Sequence, residues 1–187
     1  MTLVFRSTES YGSTSFSDIY ITGELLIEAF QRTLTSGGRI YTDSDDHEHV
    51  LKLQPRIHLD FIYYWSQPYR SLEMSDGSEF EQDKRRYFAS VEAIDGSNGY
   101  FQKAAEIVCH ARKFFITEKG YFGVGPACMK ENDLVCVLYG GKVPFLLRPK
   151  NDFYHLIGEC YVHGIMDGEA ITMLEAGQLS EASLEVH

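Results

Sequence analysis

The spacing of apolar residues along the chain changes character once, near residue 110. Before that point apolar positions recur at helical spacing. In "TGELLIEAFQRTLTSGG", Leu25, Leu26, Ala29, Phe30 and Leu34 fall on one helix face, and Gly37-Gly38 supplies a stop. "LDFIYYWSQPYRSL" fits a helix or a buried strand; Phe61, Ile62 and Trp65 suit the helix, which Pro68 ends. "SEFEQDKRRYFASVEAI" sets Phe80, Tyr87, Phe88, Val91 and Ile94 among charges as an amphipathic helix does, "DGSNG" breaks it, and "YFQKAAEIVCHA" resumes helical spacing. The first 20 residues read as an irregular arm rich in Ser, Thr and Tyr, and "GRIYTDSDDHEHV" reads as a polar loop.

Beyond residue 110 the period becomes 2, and Gly, Pro and Asp punctuate the chain as turns do. "RKFFITEKGYFGVGP" is a hairpin with Glu118-Lys119-Gly120 in its turn. "DLVCVLYGGKVPFLLRP" is a second hairpin around Gly140-Gly141, and "NDFYHLIGECYVHG" is a long final strand. Exposed strand edges invite aggregation, so such strands must close on themselves or be covered. The pattern predicts an α+β fold, a small antiparallel β-barrel of about five or six strands with several packed helices from the N-terminal half. One helix-plus-barrel domain is expected over 21–175, helical over 21–110 with barrel strands over 111–165, between an arm (1–20) and an acidic tail (176–187).

Three of these stretches together, "RKFFITEKGYFGVGP", "NDLVCVLYGGKVPFLLRP" and "YHLIGECYVHGIMDGEA", closely resemble the C-terminal β-barrel region of fungal heterokaryon-incompatibility (HET) proteins. "EAFQRTL" is similar to the helix preceding that region, so the resemblance runs from about residue 24 to 172. It implies a β-barrel module of the kind that follows the HET domain, to which the cell-death response is attributed. No stretch resembles the HET domain itself. The expectation is a barrel without its effector, or else a fragment of a larger HET protein.

Composition narrows the partners. A net charge of −10 excludes a basic nucleic-acid surface and argues against an anionic membrane. No apolar run approaches membrane-spanning length, and the N-terminus lacks a signal-peptide core. Cys109, Cys128, Cys136 and Cys160 form no CxxC pair and read as reduced thiols, which predicts a cytoplasmic protein. Twelve Tyr, twelve Phe and one Trp are a surplus that suits a core, an interface or a pocket.

No GxGxxG, GxxxxGK[ST], HExxH or GxSxG motif is present, so no cofactor is expected. His47 and His49 beside Asp45 and Asp46 read as an acidic loop, and no metal site is assigned. Strand alternation puts His155, Ile157, Glu159, Tyr161 and His163 on one face, opposite Leu156, Gly158, Cys160 and Val162. His163 is the candidate general acid/base, oriented by Asp167 or Glu169 across the Gly164 turn. Glu159 stands four residues away, about 13 Å along a strand, and Arg148 is a candidate to grip a carbonyl or carboxylate. Tyr121, Tyr139 and Tyr161 are candidate substrate-binding donors. The structural alternative has His163 and Glu159 anchoring the turn and Arg148 in an ion pair.

Two functions follow. The preferred one is a stand-alone barrel that binds a small, largely apolar molecule and acts as a cofactor-independent cyclase or isomerase, by pericyclic-type ring closure, in fungal secondary metabolism. The alternative is a regulatory or protein-interaction module of self/non-self recognition, as the resemblance implies. Homo-oligomerisation stays open.

Overall fold

The computed structural model describes residues 5–8, 18–38, 59–64 and 99–187, with the backbone alone at 5–8 and 99–100. The chain divides into two compact units, Gly12–Val108 and a second that joins Met1–Tyr11 to Cys109–His187.

In the first unit, α1 (Leu26–Leu34) is followed by a tight turn over Ser36–Gly38, where the positive φ of Gly37 and Gly38 takes the chain away from the helix. Glu28 lies in its first turn, where the helix dipole favours an acid, and Arg32 pairs with Glu24 at 3.2 Å. Of the expected apolar face only Ala29 is fully buried, while Leu25, Leu26, Phe30 and Leu34 are half-buried; Ile27, Gln31 and Thr33 are buried as well. The Thr33 hydroxyl donates to the Ala29 carbonyl at 2.7 Å, which satisfies a buried polar atom. Residues 59–64 are helical, which settles their ambiguous pattern in favour of the helix. Phe61 packs edge-on against Phe30 and against Phe101 of α2 (Gly99–Cys109), with ring centres 6.4 and 4.9 Å away. The amphipathic helix expected over 78–94 and the polar loop over 39–50 lie outside the described residues.

The second unit contains β1 (Phe5–Thr8), β2 (Arg112–Thr117), β3 (Phe122–Pro126), β4 (Leu134–Cys136), β5 (Phe145–Lys150), β6 (Phe153–Glu159), β7 (Tyr161–Val162) and α3 (Glu169–Glu175). All strand pairs are antiparallel, in the order β6-β5-β4-β1-β2-β3-β7. They form two sheets that share β1. Both expected hairpins are present, β2–β3 around Gly120 and β4–β5 around Gly140-Gly141.

The expected irregular arm instead supplies β1, the central strand: Phe5 faces Val135 of β4 and Ser7 faces Thr117 of β2. Ser and Thr suit a pleated surface as well as a loop. Four residues carry too little alternation to identify a strand whose partners lie over a hundred positions away.

The long final strand is interrupted. Leu146 faces Gly158 while Leu147 faces Leu156, so Ile157 is an extra, bulged residue. Gly158 accommodates the bulge at φ 145°, a conformation side-chain-bearing residues rarely adopt. After it the chain leaves β5: the Cys160 N–H donates to the Pro144 carbonyl, and β7 pairs with β3. The two outer strands of the order are thus neighbours in sequence.

One core cluster gathers Phe115, Tyr121, Met129, Val135, Leu146, Cys160, Val162, Ile165 and Ala170 between the sheets and α3. Gly123 makes room for the tip of the Phe115 ring, since a Cβ there would stand 2.3 Å from Cζ. On the opposite face Leu134, Cys136 and Leu147 are covered by Leu138, Tyr154 and Leu184. No helix among the described residues is long and apolar enough to cross a membrane.

Candidate functional site

The residues expected to act together are distributed over three environments. His163 and Tyr161 do meet. Both are buried, the phenol oxygen lies 3.0 Å from Nδ1, and the rings stack at 25°. The backbone N–H of His163 also donates to the Phe122 carbonyl, so β3 holds the residue by its main chain. Neither acid proposed to orient it is in that bond: the Glu169 carboxylate accepts the Asp167 N–H at 2.7 Å, closing the turn before α3.

Glu159 is exposed, whereas Tyr161, Val162 and His163 are all buried. The single alternating face drawn from His155 to His163 therefore does not exist. The bulge at Ile157 and the change of partner at Cys160 reset which way each side chain points.

Arg148 is engaged elsewhere, in an ion pair with Asp133. Its Nε and Nη2 donate to Oδ1 and Oδ2 of Asp133 at 2.7 and 2.8 Å, and Nη2 also reaches the Cys128 carbonyl at 2.9 Å. The Asp133 side chain is 1% exposed, and its Oδ2 accepts the Lys130 N–H at 2.7 Å. This two-pronged, charge-assisted arrangement pins the 127–133 turn onto β5. The hydrogen bond to Asp133 raises the guanidinium pKa above its ordinary value, so Arg148 stays charged. Asp133 was not singled out in the sequence; the available signal was "KEND", an acid at a turn just before a strand.

Tyr121 is buried, and its hydroxyl points at the Met173 sulfur, 3.7 Å away, in α3. Burial, and then the Glu169 charge, push its phenol pKa up. Burial also pushes the Cys136 thiol up to about 12 and raises that of Cys160, so neither is a ready nucleophile. Among the described residues, no three His, Cys, Asp or Glu side chains are grouped as metal ligands would be.

Tyr139 has the opposite setting. It is 67% exposed on the loop between β4 and β5, beside Gly140, whose φ of 81° makes the tight reversal. A cleft of about 190 Å³ lies on one side, between residues 137–144 and the start of α3, with Ile165, Met166 and Ile171 on its far wall. A shallower groove of about 410 Å³ lies on the other, between Leu138, Tyr139 and residues 181–186. The Tyr139 hydroxyl donates to the Glu181 carboxylate across it. Ile171 and Val186 are exposed, one on the wall of each depression. His163, Glu159 and Arg148 line neither. Ile171, Leu184 and Val186 were missed in the sequence, although Leu184 and Val186 carry a period-2 signal inside the acidic tail.

What the geometry defines is an antiparallel α+β domain that presents an aromatic ridge between two grooves. The chain belongs to the Het-6 beta-barrel domain family, whose profile matches residues 46–178. The matched segment excludes "EAFQRTL" and contains all three strand motifs. Over 77 residues the chain is 39% identical to the heterokaryon incompatibility protein 6, OR allele, of Neurospora crassa, covering 39% of this chain and 11% of that protein. The chain thus spans about a ninth of that relative's length. No solved structure matches. These findings overturn the cyclase or isomerase reading, and secondary metabolism with it, in favour of an incompatibility-related domain.

Proposed function

We propose that the chain is a protein-interaction module of heterokaryon incompatibility, meeting another protein in self/non-self recognition through the Tyr139 ridge. The observation that carries this reading is the ridge itself, an exposed tyrosine on a glycine loop with Ile171 and Val186 across flanking grooves. Tyrosine suits such a contact because it offers a large rigid area and a polar tip at low entropic cost. The relative's role in incompatibility supports the same direction.

The scaffold in this proposal is a closed barrel. The chain passes from β5 to β3 within 153–162, and a Cβ on Gly158 would stand 2.9 Å from Cγ of Pro126, at the end of β3. Closure there would remove the two sheet edges, and the family's name favours it. A cytoplasmic setting accords with four free cysteines.

The test replaces the matching segment of the Neurospora relative with this chain and scores strain pairs for incompatibility. Tyr139→Ala combined with Ile171→Asp is expected to abolish the reaction without moving the thermal midpoint. An undiminished reaction from that double variant would sink the ridge as the contact surface.

A further inference from the structure

The end of the described chain lies beside β6 as a short extra strand. Tyr154 N–H donates to the Glu185 carbonyl at 2.8 Å, His187 N–H to the Tyr154 carbonyl at 2.8 Å, and Leu156 N–H to the His187 carbonyl at 3.3 Å. Tyr154 thereby faces Val186 in a parallel bridge, the one parallel pairing among the described residues. Leu184 packs with Leu138 and Tyr154 over buried Leu134, Cys136 and Leu147. The Phe153 ring meets His187 edge-on at 5.0 Å, and Glu181 accepts the Tyr139 hydroxyl.

Each element of this attachment is small. Residues 176–185 form no helix or strand, Val186 is partly exposed, and the groove between Leu138, Tyr139 and residues 181–186 remains open beside the attached segment. Yet the contacts are of the type that recognises peptides at sheet edges: main-chain bonds hold the segment, and alternate side chains select it. A tail joined by a link without regular structure competes for its own site at an effective concentration set by that link.

We propose that the β6 edge, with the groove beside Leu138 and Tyr139, is a strand-accepting peptide site whose resident ligand is the chain's own 181–187 segment. The partner it fits is an extended, acidic segment of another protein chain, docking parallel to β6. That segment carries two apolar residues two positions apart and a carboxylate three positions before the first, as Glu181, Leu184 and Val186 do here. Its arrival displaces the resident tail, so tail release governs access to the site. The inference does not depend on the incompatibility reading.

The test uses a fluorescein-labelled peptide of residues 178–187, added to the full chain and to its Leu184→Asp, His187→Pro variant. That variant's tail loses its core contact and one backbone donor. Peptide is expected to bind the variant at least about tenfold more tightly, because the parent's apparent affinity is reduced to the fraction with an open edge. The same peptide carrying Leu184→Asp should not bind. Equal binding to parent and variant, or none to a folded variant, overturns the proposal. If the variant does not fold, ¹⁵N-labelled parent with excess unlabelled peptide decides: the His187 amide must move to a free-tail position while Tyr154 N–H stays protected. An unmoved His187 signal at ~1 mM peptide overturns it.

Discussion

The two loops that flank β4 share a strand and differ in almost everything else. Before it, the 127–133 turn spends its polar groups internally: Arg148 grips Asp133 with two nitrogens and Cys128 with one, and Asp133 accepts a further backbone N–H. After it, the 137–144 loop leaves Tyr139 in solvent above two grooves. A buried carboxylate must be paired, because an unpaired one costs far more than a lost surface contact. An exposed aromatic carries no such obligation and stays available to a partner. The contrast separates a charge that serves the fold from a ring that the fold leaves uncovered, which residue type alone does not do.

The largest effect should come from the first loop. Arg148→Ala leaves Asp133 buried without its partner, and a loss of about 2–4 kcal/mol is expected in urea denaturation. Arg148→Lys should fall between, since one ammonium replaces a fork. A loss under about 1 kcal/mol would show that the turn is held by something else. Strand β3 of the other sheet should be nearly as intolerant: Gly123→Ala drives a methyl into the Phe115 ring and is expected to cost about 1–3 kcal/mol. By contrast Tyr139→Ala should move stability by no more than about 0.5 kcal/mol. A larger loss would make Tyr139 a structural residue and erase the contrast.

Two finer measurements sharpen it. With maleimide, exposed Cys128 is expected to react promptly, while Cys136 and Cys160, buried and with raised pKa values, react only on unfolding. Early modification of Cys160 would mean that the strand passing from β5 to β3 opens readily. The smallest effect concerns pH. The hydrogen bond to Glu181 raises the Tyr139 pKa above its ordinary ~10, because the neutral phenol is the bonded form. Its contribution is fully present below that ordinary value and is lost as pH rises through the raised one. In an ultraviolet titration Tyr139→Phe should remove one late-ionising tyrosine; an unchanged late phase would deny the bond.

Much of the strand region was legible because it is local. The β2–β3 and β4–β5 hairpins follow from period-2 apolar runs around turn glycines, and α1 from its helical spacing and Gly37 stop. The site was read less well. His163, Tyr161 and Arg148 stood out as reactive residue types, yet a guanidinium is the same in sequence whether it meets substrate or Asp133. Its partner lies 15 positions away, across a hairpin, and no periodicity marks it.

By itself the sequence determined the antiparallel α+β class, the main turns and the family, each carried by neighbouring residues or by a linear motif. Only the tertiary structure decided that Phe5–Thr8 is the central strand, that the last strand bulges at Ile157 and changes partner at Cys160, and that residues 185–187 lie along β6. These features join positions far apart in the chain. Such pairings form only when the gain in burial and hydrogen bonding exceeds the entropy of closing long loops, a balance set by the whole fold.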